Sequence, residues 1–250
     1  MDLTEARYEL VISVDARRSG EYDDIDKPRM RERIYRVVET AFAHAKVTRD
    51  AVHMEDRGDG VLLAVAGRIA VSRLLGLWTV ELHENLRDEN RALKVPLGLR
   101  IGMHVGPVRH DERGISGRAV DLACRLADSA VARQLLDAEG ADLVLVTSNS
   151  LYEDVVRGGG KFIEPARYNS ARLTLKEGEV TAWFHLPGRP APAIPASAEP
   201  PAADSPRTPI PVNIPVDDSG SSFIAHGDLS VHHDNTYQQG VHIGRKGGGE

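Results

Sequence analysis

The chain has 250 residues, enough for one domain of about 180 residues plus an extension. Charged residues make up 27% and hydrophobic residues 41%, and a net charge of -6 supplies no basic field to draw nucleic acid or an anionic membrane. A single cysteine, Cys124, excludes an internal disulfide framework and fits a reducing, cytoplasmic setting.

Residues 7–15 alternate and then run apolar, the pattern of a central strand that ends on Asp15. Asp26 and Pro28 signal a helix start, and Met30, Ile34, Val37, Val38, Ala41, Phe42 and Ala45 recur at helical spacing. Residues 50–56 and 60–66 predict a hairpin with Arg57-Gly58-Asp59-Gly60 at its tip, because Asp-Gly favours tight reversals. A second amphipathic helix is expected over 68–90, a strand over 96–106, and a helix from Gly117 to Leu136. A short buried strand follows at 142–147, then a helix capped by Ser148 and running through Val156, and two strands near 171–175 and 179–186.

The order β-α-β-β-α-β with later additions predicts an α+β, ferredoxin-like sheet, with helices over one face and the other face and one edge left for a ligand or partner. Only Val61–Val80 approaches membrane length, and Arg68 and Arg73 interrupt it, so no spanning segment is expected. Met1–Glu5 has neither a basic region nor an apolar core, so no secretory signal is expected. The composition changes after Pro187: ten of the fourteen prolines lie from there to Pro215. The expected division is a folded domain over 6–187, a Pro/Ala-rich disordered linker over 188–220, and an interaction tail over 221–250.

Asp15 at a strand end and Asp59 in a glycine-flanked turn are both rigidly held yet able to face solvent, which suits ligation of a hard cation beside phosphate oxygens. Asp-Gly is also ordinary turn chemistry, so the pair points to a metal only in combination. His104 inside an apolar strand reads as a satisfied core histidine, and Cys124 as helix packing.

In sequence order, VISVD at 11–15, EDRGDGVLLAV at 55–65, LRIGMHVGPV at 99–108 and GRAVDLACRLADSA at 117–130 resemble class III nucleotidyl cyclase catalytic domains, the adenylate and guanylate cyclases. The likeness covers roughly 6–187 and is nearest to short stand-alone bacterial members. It implies that Asp15 and Asp59 hold Mg²⁺ or Mn²⁺ over a nucleoside triphosphate, and that Arg125 stabilises charge in the transition state. It also implies a two-fold homodimer, whose shared sites draw the aspartates from one subunit and Arg125 from the other.

The departures are specific. Asp121 stands where the family has a ribose-orienting Asn, and Arg18 stands where it has a glycine, so Arg17 or Arg18 would assist phosphate binding directly. Glu55 occupies the base-selecting position in the guanylate cyclase form, and its usual partner position is Gly114. Cyclases of this fold acting on pyrimidines are also known, so the resemblance leaves the base open.

Residues 235–244 (NTYQQGVHIG) alternate polar and β-branched types and resemble RHIM-related amyloid signalling motifs of bacterial immunity proteins. Two functions follow from the sequence. One is a cytoplasmic nucleotidyl cyclase, with GTP one candidate substrate. The other is a catalytically degenerate signalling module acting through homotypic contacts of its tail.

Overall fold

The computed structural model describes residues 5–23, 25–176 and 178–194. The expected tail and most of the expected linker therefore lie outside the described residues.

Strand β1 (Arg7–Ala16) is followed by helix α1 (Asp26–His44) and by the hairpin β2 (Val52–Asp56) and β3 (Gly60–Ala66). A short helix α2 (Val71–Arg73) passes through a π turn at Leu74–Trp78 into α3 (Thr79–Asn90). Strand β4 (Leu99–Asp111) then lies antiparallel to β1. These four strands run β2-β3-β1-β4, the ferredoxin-like arrangement expected from the sequence.

The second half extends the sheet. Helices α4 (Arg118–Ala127) and α5 (Ala130–Ala138) lead to β6 (Leu143–Ser148), which pairs parallel to β4. A short helix α6 (Asn149–Leu151) and a second π turn lead to β7 (Tyr168–Leu175) and β8 (Gly178–His185), which complete the order β4-β6-β8-β7. Every residue of β6 is buried, as for a central strand covered on both sides.

Three expectations are corrected. The helix expected from Gly117 to Leu136 breaks at Asp128, because the Ser129 hydroxyl caps a new helix by accepting from the Ala132 N–H. Strand β4 runs on to Asp111 and folds back as β5 (Gly114–Ser116), a hairpin that carries no Asn-Gly or Asp-Gly signal.

Helices also cover both faces of the sheet. On one, α1 and α3 pack on Leu10, Ile12, Val14, Leu63 and Ile101. On the other, α4 and α5 pack on Val11, Leu62, Ala64, Val144 and Val146. The near-continuous apolar runs at 10–14 and 61–65 carried that signal, since a strand with one wet face alternates instead.

The close seating of α4 positions everything that follows. A Cβ at Gly102 would overlap the Ala123 carbonyl, and one at Gly106 would press on the Ala119 side chain. Glycines on the strand beneath alanines on the helix let the two backbones approach. Arg100 Nε then donates to the Ala127 carbonyl at 3.0 Å, tying down the far end of α4.

Candidate active site

Asp15 is the penultimate residue of β1, between Gly60 on β3 and Arg100 on β4. It alternates with Val11 and Ser13 and so faces the α4 side. Asp59 stands one residue from its β3 partner, in a tip where Gly58 has φ +82° and its N–H donates to Asp56 Oδ1 at 2.6 Å. The two aspartate segments are stitched together: the Ala16 N–H donates to the Asp59 carbonyl at 3.0 Å. Gly60 permits this approach, because a Cβ there would overlap the Val14 carbonyl and lie 3.0 Å from Asp15 Oδ1.

The electrostatics of the pair are frustrated. The Asp15 side chain is 24% exposed, and its pKa is raised to about 6. Desolvation is the main cause; Asp128 and Asp59 push the same way, while Arg100, 4.0 Å from Oδ2, opposes them. Asp59 is more open, and the Ser19 hydroxyl donates to its Oδ2 at 2.6 Å. Two adjacent carboxylates, one held against its own ionisation, form a hard-oxygen donor set short of positive charge. Among the described residues no group of three or more His, Cys, Asp and Glu could hold a metal. Mg²⁺ is usually bound by one or two carboxylates with water and substrate phosphates as the remaining ligands.

Asp59 opens onto a cleft of about 380 Å³ lined also by Arg18, Ser19, Arg100, Asp128 and Arg133. Arg133 pairs with Asp128, and Arg18 lies 3.6 Å from Asp137. Arg17 is otherwise engaged, its guanidinium donating to the carbonyls of Leu136, Ala141 and Pro96. It braces the loop after β1 against α5. A larger cavity of about 620 Å³ lies beyond that loop, lined in part by Met30, Lys94 and Leu97, and it includes neither aspartate.

Arg18 accounts for one departure from the cyclase pattern. Its backbone is left-handed, φ 52° and ψ 38°, a region that favours glycine. The loop therefore takes a glycine-type bend with an arginine in it. Among the residues not foreseen, Arg100 is the most consequential, and a lone arginine inside the apolar run LGLRIGMHV was its visible signal.

Asp121 is exposed in the first turn of α4, and Arg125 is half-buried in the last. Neither lines the cleft that holds Asp59. Cys124 lies between them on the helix; burial raises its thiol pKa, Ser13 lowers it by a hydrogen bond, and the charges of Asp15, Arg57 and Asp121 are within reach. Burial makes the thiol a poor nucleophile. His104 Nδ1 lies 2.8 Å from the Ser148 hydroxyl, and burial lowers its pKa. Glu55 faces the α4 side beside the β4–β5 hairpin, with its carboxylate contacting His53, Arg57 and the Ile115 N–H.

No protein-family model matches the chain, and no characterised protein matches it in sequence. Solved structures do match. An adenylate/guanylate cyclase/hydrolase from Silicibacter pomeroyi is 18% identical with a TM-score of 0.52, over 73% of this chain and 98% of that one. The guanylyl cyclase Cya2 is 16% identical with a TM-score of 0.52, over 73% and 94%. The catalytic core of a rhodopsin-guanylyl cyclase with converted specificity, in complex with ATPαS, is 15% identical with a TM-score of 0.51, over 72% and 96%. At these identities the likeness establishes the fold. The chain has the α+β fold of nucleotidyl cyclase catalytic domains.

Proposed function

We propose that this protein is a cytoplasmic, homodimeric nucleotidyl cyclase that converts a nucleoside triphosphate into a 3′,5′-cyclic nucleotide and pyrophosphate. The observation that carries this reading is the juxtaposition of Asp15 and Asp59 on one sheet edge, beside a cleft with Arg18, Arg100 and Arg133 in its wall. Asp15 and Asp59 would hold Mg²⁺ or Mn²⁺. Bound there, the cation lowers the pKa of the ribose 3′-hydroxyl and neutralises charge on the triphosphate. Arg18 and Arg133, at the cleft surface, attract the phosphates and orient the chain of phosphorus centres. Arg100 limits the mutual repulsion of Asp15 and Asp128. The 3′-oxygen bonds to the α-phosphorus as the bond to pyrophosphate breaks, its proton passing to solvent. Arg125, given by the partner subunit, offers a cation to the charge that develops, and Asp121 sits one turn before it near the ribose.

The decisive experiment incubates purified protein with each of the four NTPs and Mg²⁺ or Mn²⁺ and separates the products by chromatography. A cyclic product that disappears in Asp59→Ala is expected.

A second reading is favoured by two observations: Arg17 is engaged with backbone carbonyls, and Asp121 places an acid where a neutral amide belongs. Under it the domain is a degenerate signalling module, and residues 235–244 make homotypic amyloid-like contacts. A dimeric protein silent with all four NTPs, whose full-length form gives a thioflavin signal lost in Gln239→Pro, would establish that reading instead.

A further inference from the structure

Glu55 occupies the position of a base-reading acid, yet both of its carboxylate oxygens already have partners. Oε1 accepts the Ile115 N–H at 2.5 Å and lies 2.9 Å from His53 Nε2, while Oε2 lies 3.0 Å from Arg57 Nη2. A carboxylate has no proton to give, so His53 donates to it, and both lone pairs of Oε1 are filled. The opposite side of this contact is equally specific. Gly114 has φ +135°, and a Cβ there would overlap the Glu55 carboxylate. The β4–β5 hairpin can close over the acid only with glycine at that place. Behind it, His53 meets His110 edge-on at 5.2 Å, and His110 Nε2 lies 2.8 Å from Glu9 Oε2. Glu55 is thus the outer member of a connected polar run beneath the hairpin, with its side chain only 17% exposed.

Recognition of guanine by an acid needs two free acceptors, one for N1–H and one for the 2-amino group. Glu55 retains one, on Oε2, beneath Arg57. The group presented outward is a donor: the Arg57 side chain is 48% exposed and uses one of its five N–H groups on Glu55. We propose that Glu55 is a latch that holds the β4–β5 hairpin onto β2. Arg57 is the residue that faces the base, so the site takes bases through their acceptors and does not distinguish guanine from hypoxanthine. The latch rests on the geometry just described; the nucleotide half rests on the cyclase reading.

Two measurements on the full-length protein separate these halves. The first is amide hydrogen exchange in wild type, Glu55→Ala and Glu55→Gln without nucleotide. Removing the acceptor in Glu55→Ala is expected to speed exchange at Ile115 by on the order of tenfold or more, with β1 and β6 unchanged. Glu55→Gln, which keeps one carbonyl oxygen, recovers part of that protection. Unchanged exchange at Ile115 in Glu55→Ala overturns the latch. Should Glu55→Ala not fold, Glu55→Asp, whose shorter side chain draws the carboxylate away from Ile115, is compared with wild type, and equal exchange again overturns it.

The second measurement is calorimetric binding of GTP and of ITP, which lacks the 2-amino group, to the wild-type protein with Mg²⁺. Affinities within about threefold are expected, because no hydrogen bond is lost with that amine. A preference for GTP of about tenfold or more, abolished in Glu55→Gln, overturns the nucleotide half. Failure to bind either nucleotide overturns that half together with the cyclase reading, while exchange at Ile115 still decides the latch.

Discussion

Two acids flank the same β2–β3 hairpin, and their surroundings are opposite. Glu55, before the tip, meets a backbone N–H, a histidine and an arginine, so that both of its oxygens have partners. Asp15, opposite the start of β3, is half-buried beside two further carboxylates, with Arg100 at 4.0 Å and Arg133 to set against them, and desolvation outweighs both. Folding alone selects the first arrangement, since a buried polar group with partners costs little. It selects against the second. An acid kept where its ionisation is disfavoured is a candidate to meet a ligand that supplies the missing charge, and this contrast is the physical ground for proposing chemistry at Asp15 and its neighbour Asp59.

The strongest test of the contrast is activity. Asp59→Ala removes one of two carboxylates in the donor set and is expected to lower any cyclisation rate by at least about 100-fold, as measured by chromatographic product formation. An Asp59→Ala protein as active as wild type would place the chemistry elsewhere.

Stability gives a sharper comparison. An acid whose pKa is raised by folding contributes stability below its unfolded value of 3.8 and loses it as pH rises through about 6. At pH 7 Asp15 is ionised at a cost to the fold, and Asp15→Asn is expected to stabilise the metal-free protein by about 2 kcal/mol in urea unfolding. Below pH 4 that gain should vanish, and Mg²⁺ should raise the melting temperature of wild type but not of Asp15→Asn. The same measurement on Glu55→Gln should show a loss at pH 7. A gain there would mean the two acids do not differ.

Much of this was legible in the sequence because it is local. Strand periodicity, the glycine-flanked hairpin and the two aspartates are written in contiguous residues, and the structure brings Asp15 and Asp59 to one edge through the β1–β3 register. What was hidden is long-range. Arg17 reads as a phosphate ligand in ARRSG, but three carbonyls from distant segments take its guanidinium. Arg100 and Asp128 join the site only because Gly102 lets α4 settle onto β4, a contact between residues more than twenty positions apart. The Ile115 N–H that Glu55 accepts was likewise invisible, since the β5 hairpin carries no turn signature.

The smallest effect concerns the loop between the two sites' shared strand and α1. Arg18 holds a left-handed conformation that costs a residue with a Cβ roughly 1 kcal/mol relative to glycine. It pairs with Asp137 at 3.6 Å, with both side chains well exposed, and such a pair returns only a few tenths of a kcal/mol. On conformation in the folded state alone, Arg18→Gly should therefore stabilise the protein. Glycine also gains entropy in the unfolded chain, which offsets part of the benefit, so the expected change in unfolding free energy is within about 0.5 kcal/mol of zero. Phosphate affinity should fall severalfold at low salt, with the difference shrinking as ionic strength rises, measured by titrating the variant and wild type with an NTP. An Arg18 kept for binding at no gain in stability belongs with Asp15; an Arg18→Gly protein that is plainly less stable and binds unchanged would move it to the side of Glu55.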